Sequence, residues 1–350
     1  MEKIVEIVPY EKVKAYDLAS SFFGDKKVCM FDIETTGLSP LKSFTYLIGI
    51  NTFKDGCWQI LQLFNDDGKS EPEMIRTLHS ILEDMDILIS FNGETFDIPY
   101  IEKRTQSIEK AFHISLTNHF RDTKSFDILK DIRPYKFALG LPNLKQKTIE
   151  KYIGLNRVDM YNGGQLIDVY LGYLSAGDER SRRLVLQHNR DDMEGMIYIT
   201  CMLGLDKMCR GDFLVTDIGT RTVNPDGRLE LVIKAKAEST LVKPVCTSMD
   251  KIYLDVEGEN ITLRTPIYAG VMNYYYGATV KDGMDTVNGY FIQAPKNLDD
   301  SIPLYRERPK SKESYIMLDN SFMGESAHIK EYMSKMICDI MHFKVTIHSS

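Results

Sequence analysis

The run FTYLIGINTF at 44–53, followed by Lys54-Asp55-Gly56 and CWQILQLF at 57–64, constrains the fold more than any other stretch of the chain. Two β-type segments joined by so short a polar link containing Asp-Gly read as a hairpin. A third β-type run, KKVCMFDIE near 26–34, precedes them. Downstream, EPEMIRTLHSILEDM places Met74, Leu78, Ile81, Leu82 and Met85 at helical spacing, and DILISF reads as a short buried strand. Strands first, then a helix and a strand, predict a mixed sheet.

From about 126 to 204 the texture is mainly helical, in ILKDIRPY, LPNLKQKTIEKYIG, QLIDVYLGYL and a long segment through RRLVLQHNRDDMEGMIYITCML. Pro134, Pro142, Gly154 and Gly163-Gly164 punctuate it. Beyond about 210 the pattern changes to alternating β-type runs, so a boundary is expected near 205–212. A chain of 350 residues exceeds the usual size of one domain. Near its end, ESAHIKEYMSKMICDIMHF carries Ile329, Tyr332, Met333, Met336, Ile337 and Ile340 on one helical stripe, as a core-packed helix would. Tyr274-Tyr275-Tyr276 could stack on bases, but an alternating strand turns some of these rings toward a core.

No run approaches the apolar length of a membrane span, and no leader-type segment opens the chain, so a soluble cytoplasmic protein without membrane contact is expected. The six cysteines (29, 57, 201, 209, 246 and 338) are scattered, with no close metal-type pairs. Neither a disulfide framework nor a zinc site is expected from them. The net charge of −7 argues against a non-specific nucleic-acid binder. Between Arg121 and Arg157, however, nine basic residues face four acidic ones, a local balance of +5. A basic stretch within an acidic chain suits an enzyme that holds phosphates beside carboxylates; a solvated helical surface explains it equally well.

Three short motifs carry chemistry. In VCMFDIETTGL, strand alternation puts Asp32 and Glu34 on one face and Ile33 on the other. Two such close carboxylates repel unless a cation lies between them. In DILISFNGETFDIPYI, Asp97 follows a strand and the Asn92-Gly93 turn, and falls in the first turn of a helix, where it also suits the helix dipole. In LQHNRDDMEGM, His188 and Asp192 are four residues apart and share a helix face, whereas Asp191 is rotated off it. Each motif alone has a bland reading. Together they offer four acids and an imidazole from separate elements, a set suited to two-metal phosphoryl chemistry with histidine as base.

These motifs resemble those of the DEDD superfamily of ribonuclease H-like 3'-5' exonucleases, and within it the YprB-type proteins. The carrying residues are FDIETTGL, then Asn92, Phe96 and Asp97 of FNGETFDIPYI, then HNRDD. SFDILKDIR, with Asp127 and Arg133, and LPNLKQKTIEKYIGLNR are similar to the same group's middle region. The resemblance spans about residues 25 to 204. It implies a mixed five-stranded sheet flanked by helices, its first three strands antiparallel. It further implies two Mg²⁺ or Mn²⁺ ions, with Asp32, Glu34 and Asp192 on one, Asp32 bridging to a second, Asp97 assisting through water, and His188 as general base. One departure stands out: the His188 to Asp192 offset is that of the tyrosine-bearing subgroup, yet it carries histidine.

The expected organisation is a lead-in at 1–24, a ribonuclease H-like exonuclease domain at 25–205, and a β-rich domain with a C-terminal helix at 206–350. The expected activity is metal-dependent 3'-5' hydrolysis of DNA or RNA, acting on single-stranded 3' ends. Expected substrate contacts are Thr35, Gly37, Leu38, Asn92, Phe96, Arg133, Lys145, Lys147 and Lys151, with Arg157 as a further phosphate contact. The alternatives are a ribonuclease H-like module that binds nucleic acid or a protein partner with little or no turnover, and a small-nucleotide phosphodiesterase using the same site.

Overall fold

A computed structural model describes residues 1–157, 161, 163–223, 227–275, 286–308 and 310–343. Met1–Arg133 together with Asn143–Leu203 forms one compact unit, and Pro134–Pro142 together with Gly204–Ser350 forms a second.

The first unit is built on a mixed six-stranded sheet in the order β1-β4-β3-β2-β5-β6. Its strands are β1 (Glu2–Val8), β2 (Val28–Thr35), β3 (Thr45–Lys54), β4 (Cys57–Phe64), β5 (Ile87–Ser90) and β6 (Lys124–Asp127). The predicted hairpin forms between β3 and β4, with Lys54 paired to Cys57. Asp55 and Gly56 turn the corner with φ of 52° and 77°, the paired positive values that a tight two-residue hairpin needs. Strands β5 and β6 run parallel to β2.

The sixth strand comes from the segment expected to be a lead-in. Strand β1 pairs antiparallel with β4, from Glu2 opposite Phe64 to Val8 opposite Trp58. Its EKIVEIV sequence leaves Val5 and Ile7 about 60% exposed, so little apolar burial announced it. Charged residues along an edge strand also discourage pairing with another chain.

Helices of this unit are α1 (Tyr10–Val13), α2 (Ala19–Phe23), α3 (Glu71–Leu82), α4 (Asp97–Phe112), α5 (Ile128–Ile132), α6 (Gln146–Tyr152), α7 (Gly163–Ala176) and α8 (Glu179–Ile199). On one face of β2, Cys29, Phe31 and Ile33 join Met74, Ile75 and Leu78 of α3 and Tyr100 and Ile101 of α4 in a buried core. Alternation sends Asp32 and Glu34 to the other face, where α8 crosses β2, β3 and β4. Tyr46, Phe64, Tyr170 and Val185 fill the core on that side.

Gly49 determines how closely α8 can lie on the sheet. It sits opposite Asp32 in the β2/β3 ladder, and a Cβ there would meet Asn189 Oδ1 and Met193 Cγ, each at 2.6 Å. Asn189 and Met193 are fully buried, so neither can swing into solvent. Gly49→Ala is therefore expected to lift α8 and cost about 1–3 kcal/mol, the usual penalty for overpacking. A urea unfolding midpoint equal to wild type would show that the helix moves without cost.

Beyond Leu203 the second unit holds the rest of α9 (Leu203–Arg210), followed by an antiparallel sheet of β7 (Phe213–Val223), β8 (Arg228–Met249) and β9 (Ile252–Pro266). Then come β10 (Tyr268–Tyr275), β11 (Thr286–Gln293), β12 (Leu304–Arg306) and β13 (Tyr315–Met317), closed as a small barrel in the order β10-β11-β13-β12. Met272, Phe291, Tyr305 and Tyr315 form its interior. The short α10 (Asn320–Met323) leads into α11 (Ser326–Met341), on which every residue of the predicted apolar stripe is buried. The side chains of Tyr274 and Tyr275, and all of Tyr276, lie outside the described residues.

Candidate functional site

Strand β2 is flanked by neighbours on both sides, so the carboxylates at its end rest on a rigid platform. Helix α8 lies across it and contributes His188, Asn189 and Asp192. The imidazole Nε2 of His188 is 3.4 Å from Glu34 Oε1 and 3.2 Å from Asp192 Oδ2. The ligand atoms of Glu34, His188 and Asp192 all lie within 4.8 Å of one another. Tyr46 on β3 donates its hydroxyl to the other Glu34 oxygen, Oε2, at 3.4 Å.

Asp32 is fixed by a relay. Gln62 on β4 donates to Asn189 Oδ1 at 3.0 Å, which leaves the Asn189 amide NH₂ for Asp32 Oδ2 at 3.2 Å. Asp97 opens α4, and its Oδ1 accepts the backbone N–H of Ile33 at 3.1 Å. That bond ties the start of the helix to the strand that carries Asp32 and Glu34. Gly93 permits the approach, since a Cβ there would meet Ser90 Oγ at 2.6 Å and Asp97 Oδ2 at 3.3 Å.

The electrostatics record crowding. Burial pushes the Asp32 carboxyl well above the usual carboxylate range; the charges of Asp97, Glu34 and Asp192 push it further, and the Asn189 amide opposes them. Burial likewise raises Asp97 to about 7, against the pull of the backbone N–H groups of Ile33 and of Asp97 itself. A group of acids that resists ionisation together is one that a divalent cation would stabilise, and oxygen donors with one imidazole suit such an ion.

Asp192 has a second partner. Arg157 bridges it through Nη1, using Nη2 for Glu150, a carboxylate almost wholly buried. Gln146 completes the link, donating to Glu150 Oε1 at 2.9 Å and to the Asp192 carbonyl at 2.8 Å. Gly195 on α8 leaves room for this pair, because a Cβ there would overlap both Glu150 and Arg157. The Arg157 fork, expected on phosphate, is thus taken up by two carboxylates of the chain itself.

The remaining predicted residues divide into two groups. Thr35 donates through Oγ1 to the Gly37 carbonyl at 2.9 Å, and Leu38 beyond it is 84% exposed. Asn92 has a left-handed backbone, φ 67°, donates its N–H to Asp127 Oδ1 at 2.8 Å and accepts from Thr95 Oγ1 at 2.9 Å. Half-buried Phe96 stands at the N-cap of α4, its ring centroid 5.4 Å from that of Tyr100. These positions follow β2 and β5 directly and flank the carboxylates. The basic residues lie apart in the chain: Arg133 is exposed at the end of α5, and Lys145 and Lys151 are exposed around α6. The Lys147 ammonium donates to the Tyr161 carbonyl at 3.1 Å.

Sequence reasoning missed Asn189, Gln62 and Tyr46. The one signal is for Asn189, which adjoins His188 in the motif; Gln62 shares its strand with a second glutamine, Gln59, and nothing local sets it apart.

Family membership agrees with this architecture. The sequence matches the RNase H superfamily over residues 29–203, half of the chain, and the protein belongs to that superfamily. DNA polymerase 1 of Sulfurisphaera ohwakuensis is 30% identical over 107 residues, which are 30% of this chain and 11% of that protein. The chain therefore spans only a small part of this curated relative. Among solved structures, the family B DNA polymerase of the hyperthermophilic archaeon Pyrobaculum calidifontis aligns at 12% identity and a TM-score of 0.42, covering 91% of this chain and 46% of that one. Escherichia coli exonuclease I in complex with a dT13 oligonucleotide aligns at 11% identity and a TM-score of 0.33, covering 60% of this chain and 55% of that one. Among the described residues, no helix is long and apolar enough to cross a membrane.

Proposed function

We propose that this protein is a metal-dependent 3'-5' exonuclease of the DEDD type and of the YprB-type group, acting on single-stranded 3' ends of DNA or RNA. One observation carries the reading: Glu34, His188 and Asp192 converge from a strand and a helix onto a common point, with Asp32 and Asp97 held beside them. Glu34, Asp192 and Asp32 would hold Mg²⁺ or Mn²⁺, with Asp97 next to them; a second ion is part of the proposal. Bound there, such ions supply Lewis-acid charge at the scissile phosphate. His188 is the proposed general base: its Nε2, which faces Glu34 Oε1 and Asp192 Oδ2 in this structure, would accept the proton of the attacking water once those carboxylates bind metal. Thr35, Gly37, Leu38, Asn92 and Phe96 line the approach to the reacting end, and Arg133, Lys145 and Lys151 carry the charge that draws in a phosphate backbone.

The test uses one oligonucleotide labelled at its 3' end or at its 5' end, incubated with Mn²⁺. Wild-type protein is expected to release mononucleotide label from the 3'-labelled strand first, and Asp32→Ala combined with Glu34→Ala to release none. Equal product from both preparations, or none from wild type on DNA and RNA alike, sinks the catalytic claim.

The rival reading, a module that binds nucleic acid or a partner without turnover, draws on the Arg157 bridge, which already neutralises one oxygen of Asp192. Calorimetric titration with Mn²⁺ separates the two. No heat of binding favours the module.

A further inference from the structure

We infer that Cys209, Cys338 and His342 form a second site, in the C-terminal unit, for a thiophilic divalent cation of the zinc class. The inference does not depend on the proposed nuclease activity. The six cysteines look scattered in sequence, with no metal-type pair, but proximity in the fold is a separate matter. The fold brings Cys209 near the end of α9 to Cys338 near the end of α11, with His342 at the C-cap of α11. One ligand atom from each of the three lies within 4.8 Å of the others. Cys338 Sγ is 3.5 Å from His342 Nδ1, and Cys209 lies within reach of Cys338 and of the Tyr135 hydroxyl.

Three features favour a cation over an incidental cluster. Cys338 and His342 are four residues apart at a helix end, a spacing that presents both side chains on one face. Helices α9 and α11 both end at the cluster, so two C-terminal dipoles direct partial negative charge at it. The helix ends are also packed tightly enough to hold the geometry: Gly211, with φ 85°, turns the chain just after α9, where a Cβ would touch Ser334 of α11 at 3.5 Å. Two thiols and an imidazole match zinc-class ions, whereas Mg²⁺ prefers oxygen. Asp206 pairs with Arg210, and Asp339 Oδ2 holds the Lys296 amide at 2.7 Å. Among the described residues the cluster offers these three ligands, and water can take the fourth position of a tetrahedral ion. A disulfide between the two cysteines would leave His342 without a role.

Cobalt(II) distinguishes this site from the carboxylate site, because only thiolate ligands give an intense sulfur-to-cobalt charge-transfer band. Full-length reduced protein titrated with Co²⁺ is expected to develop that band to saturation at about one equivalent, and Zn²⁺ to bleach it. Cys338→Ser and Cys209→Ser should abolish the band and His342→Ala should weaken it, while Cys246→Ser, on a thiol exposed along β8, should leave it intact. Wild-type protein alone gives a second readout that needs no variant to fold: Zn²⁺ should slow alkylation of Cys338 by iodoacetamide on the order of tenfold, and a chelator should restore it. No charge-transfer band in reduced wild type, a band that survives Cys209→Ser, or a native Cys209–Cys338 disulfide found by non-reducing peptide mass mapping would each overturn the inference.

Discussion

Asp32→Asn is expected to lower metal-dependent hydrolysis on the order of 10³-fold or more, about 4 kcal/mol of transition-state stabilisation, while making the metal-free fold more stable near neutral pH. The two effects have one origin. Burial and three neighbouring carboxylates hold the Asp32 carboxyl above its ordinary range, so ionising it costs the folded protein free energy that the unfolded chain does not spend. A group with a raised folded pKa contributes stability that is fully present below its unfolded pKa and is lost as the pH climbs through the folded value. An amide does not titrate, so the advantage of the variant should grow as pH rises from the ordinary carboxylate range and vanish below it. Asp97→Asn should show the same sign, over a window closing at about pH 7. Mn²⁺ should reverse the ranking, since only a protein that binds the ion gains stability from it by mass action. Thermal melts at several pH values, with and without Mn²⁺, measure all of this. A variant less stable than wild type in chelator at neutral pH contradicts the picture of a crowded acid cluster.

Arg157→Met, in contrast, should destabilise the fold by about 3–5 kcal/mol above neutral pH, because it strands Glu150 as a buried charge without its guanidinium partner. Burial already raises the Glu150 pKa, and Arg157 is the main influence lowering it. Without the guanidinium, the folded pKa rises further. The penalty should therefore be greatest at alkaline pH and shrink as the pH falls and Glu150 takes up a proton. A loss independent of pH would mean that the methylene packing of Arg157 matters and its charge does not. Arg157→Met combined with Glu150→Gln should recover much of the loss, since the stranded charge is then gone.

The legible parts of the protein are those written locally. The FDIE alternation, the Asp-Gly corner and the His188 to Asp192 spacing each depend on residues a few positions apart, and the structure reproduces the geometry they imply. Strand β1 is not legible because its partner β4 lies far along the chain and its own sequence buries little. Arg157 misleads for a related reason: a basic residue in a basic stretch reads as solvent-facing until the fold shows Glu150 and Asp192 waiting for it. The Cys209 and Cys338 pairing depends on how two helix ends meet, which no spacing in the sequence encodes. In the C-terminal unit, alternation announces strands but not their closure into a barrel, because closure is a property of register between strands.

The nine residues from Pro134 to Pro142 give the chain an unusual itinerary, since it enters the second unit, returns to the first, and leaves again after Leu203. The two units are thus stitched by three passages of backbone and are not exchangeable parts on a string. A polypeptide cut short near residue 205 would keep that excursion, with its buried Tyr135, Leu139 and Leu141, and discard the rest of its unit, including His342, whose ring centroid lies 5.2 Å from that of Tyr135. It would add to the already exposed Phe137 a set of apolar side chains that the intact protein keeps buried. Neither unit can be lifted out at a single joint, and a clean division of the protein would need three cuts and a splice joining Arg133 to Asn143.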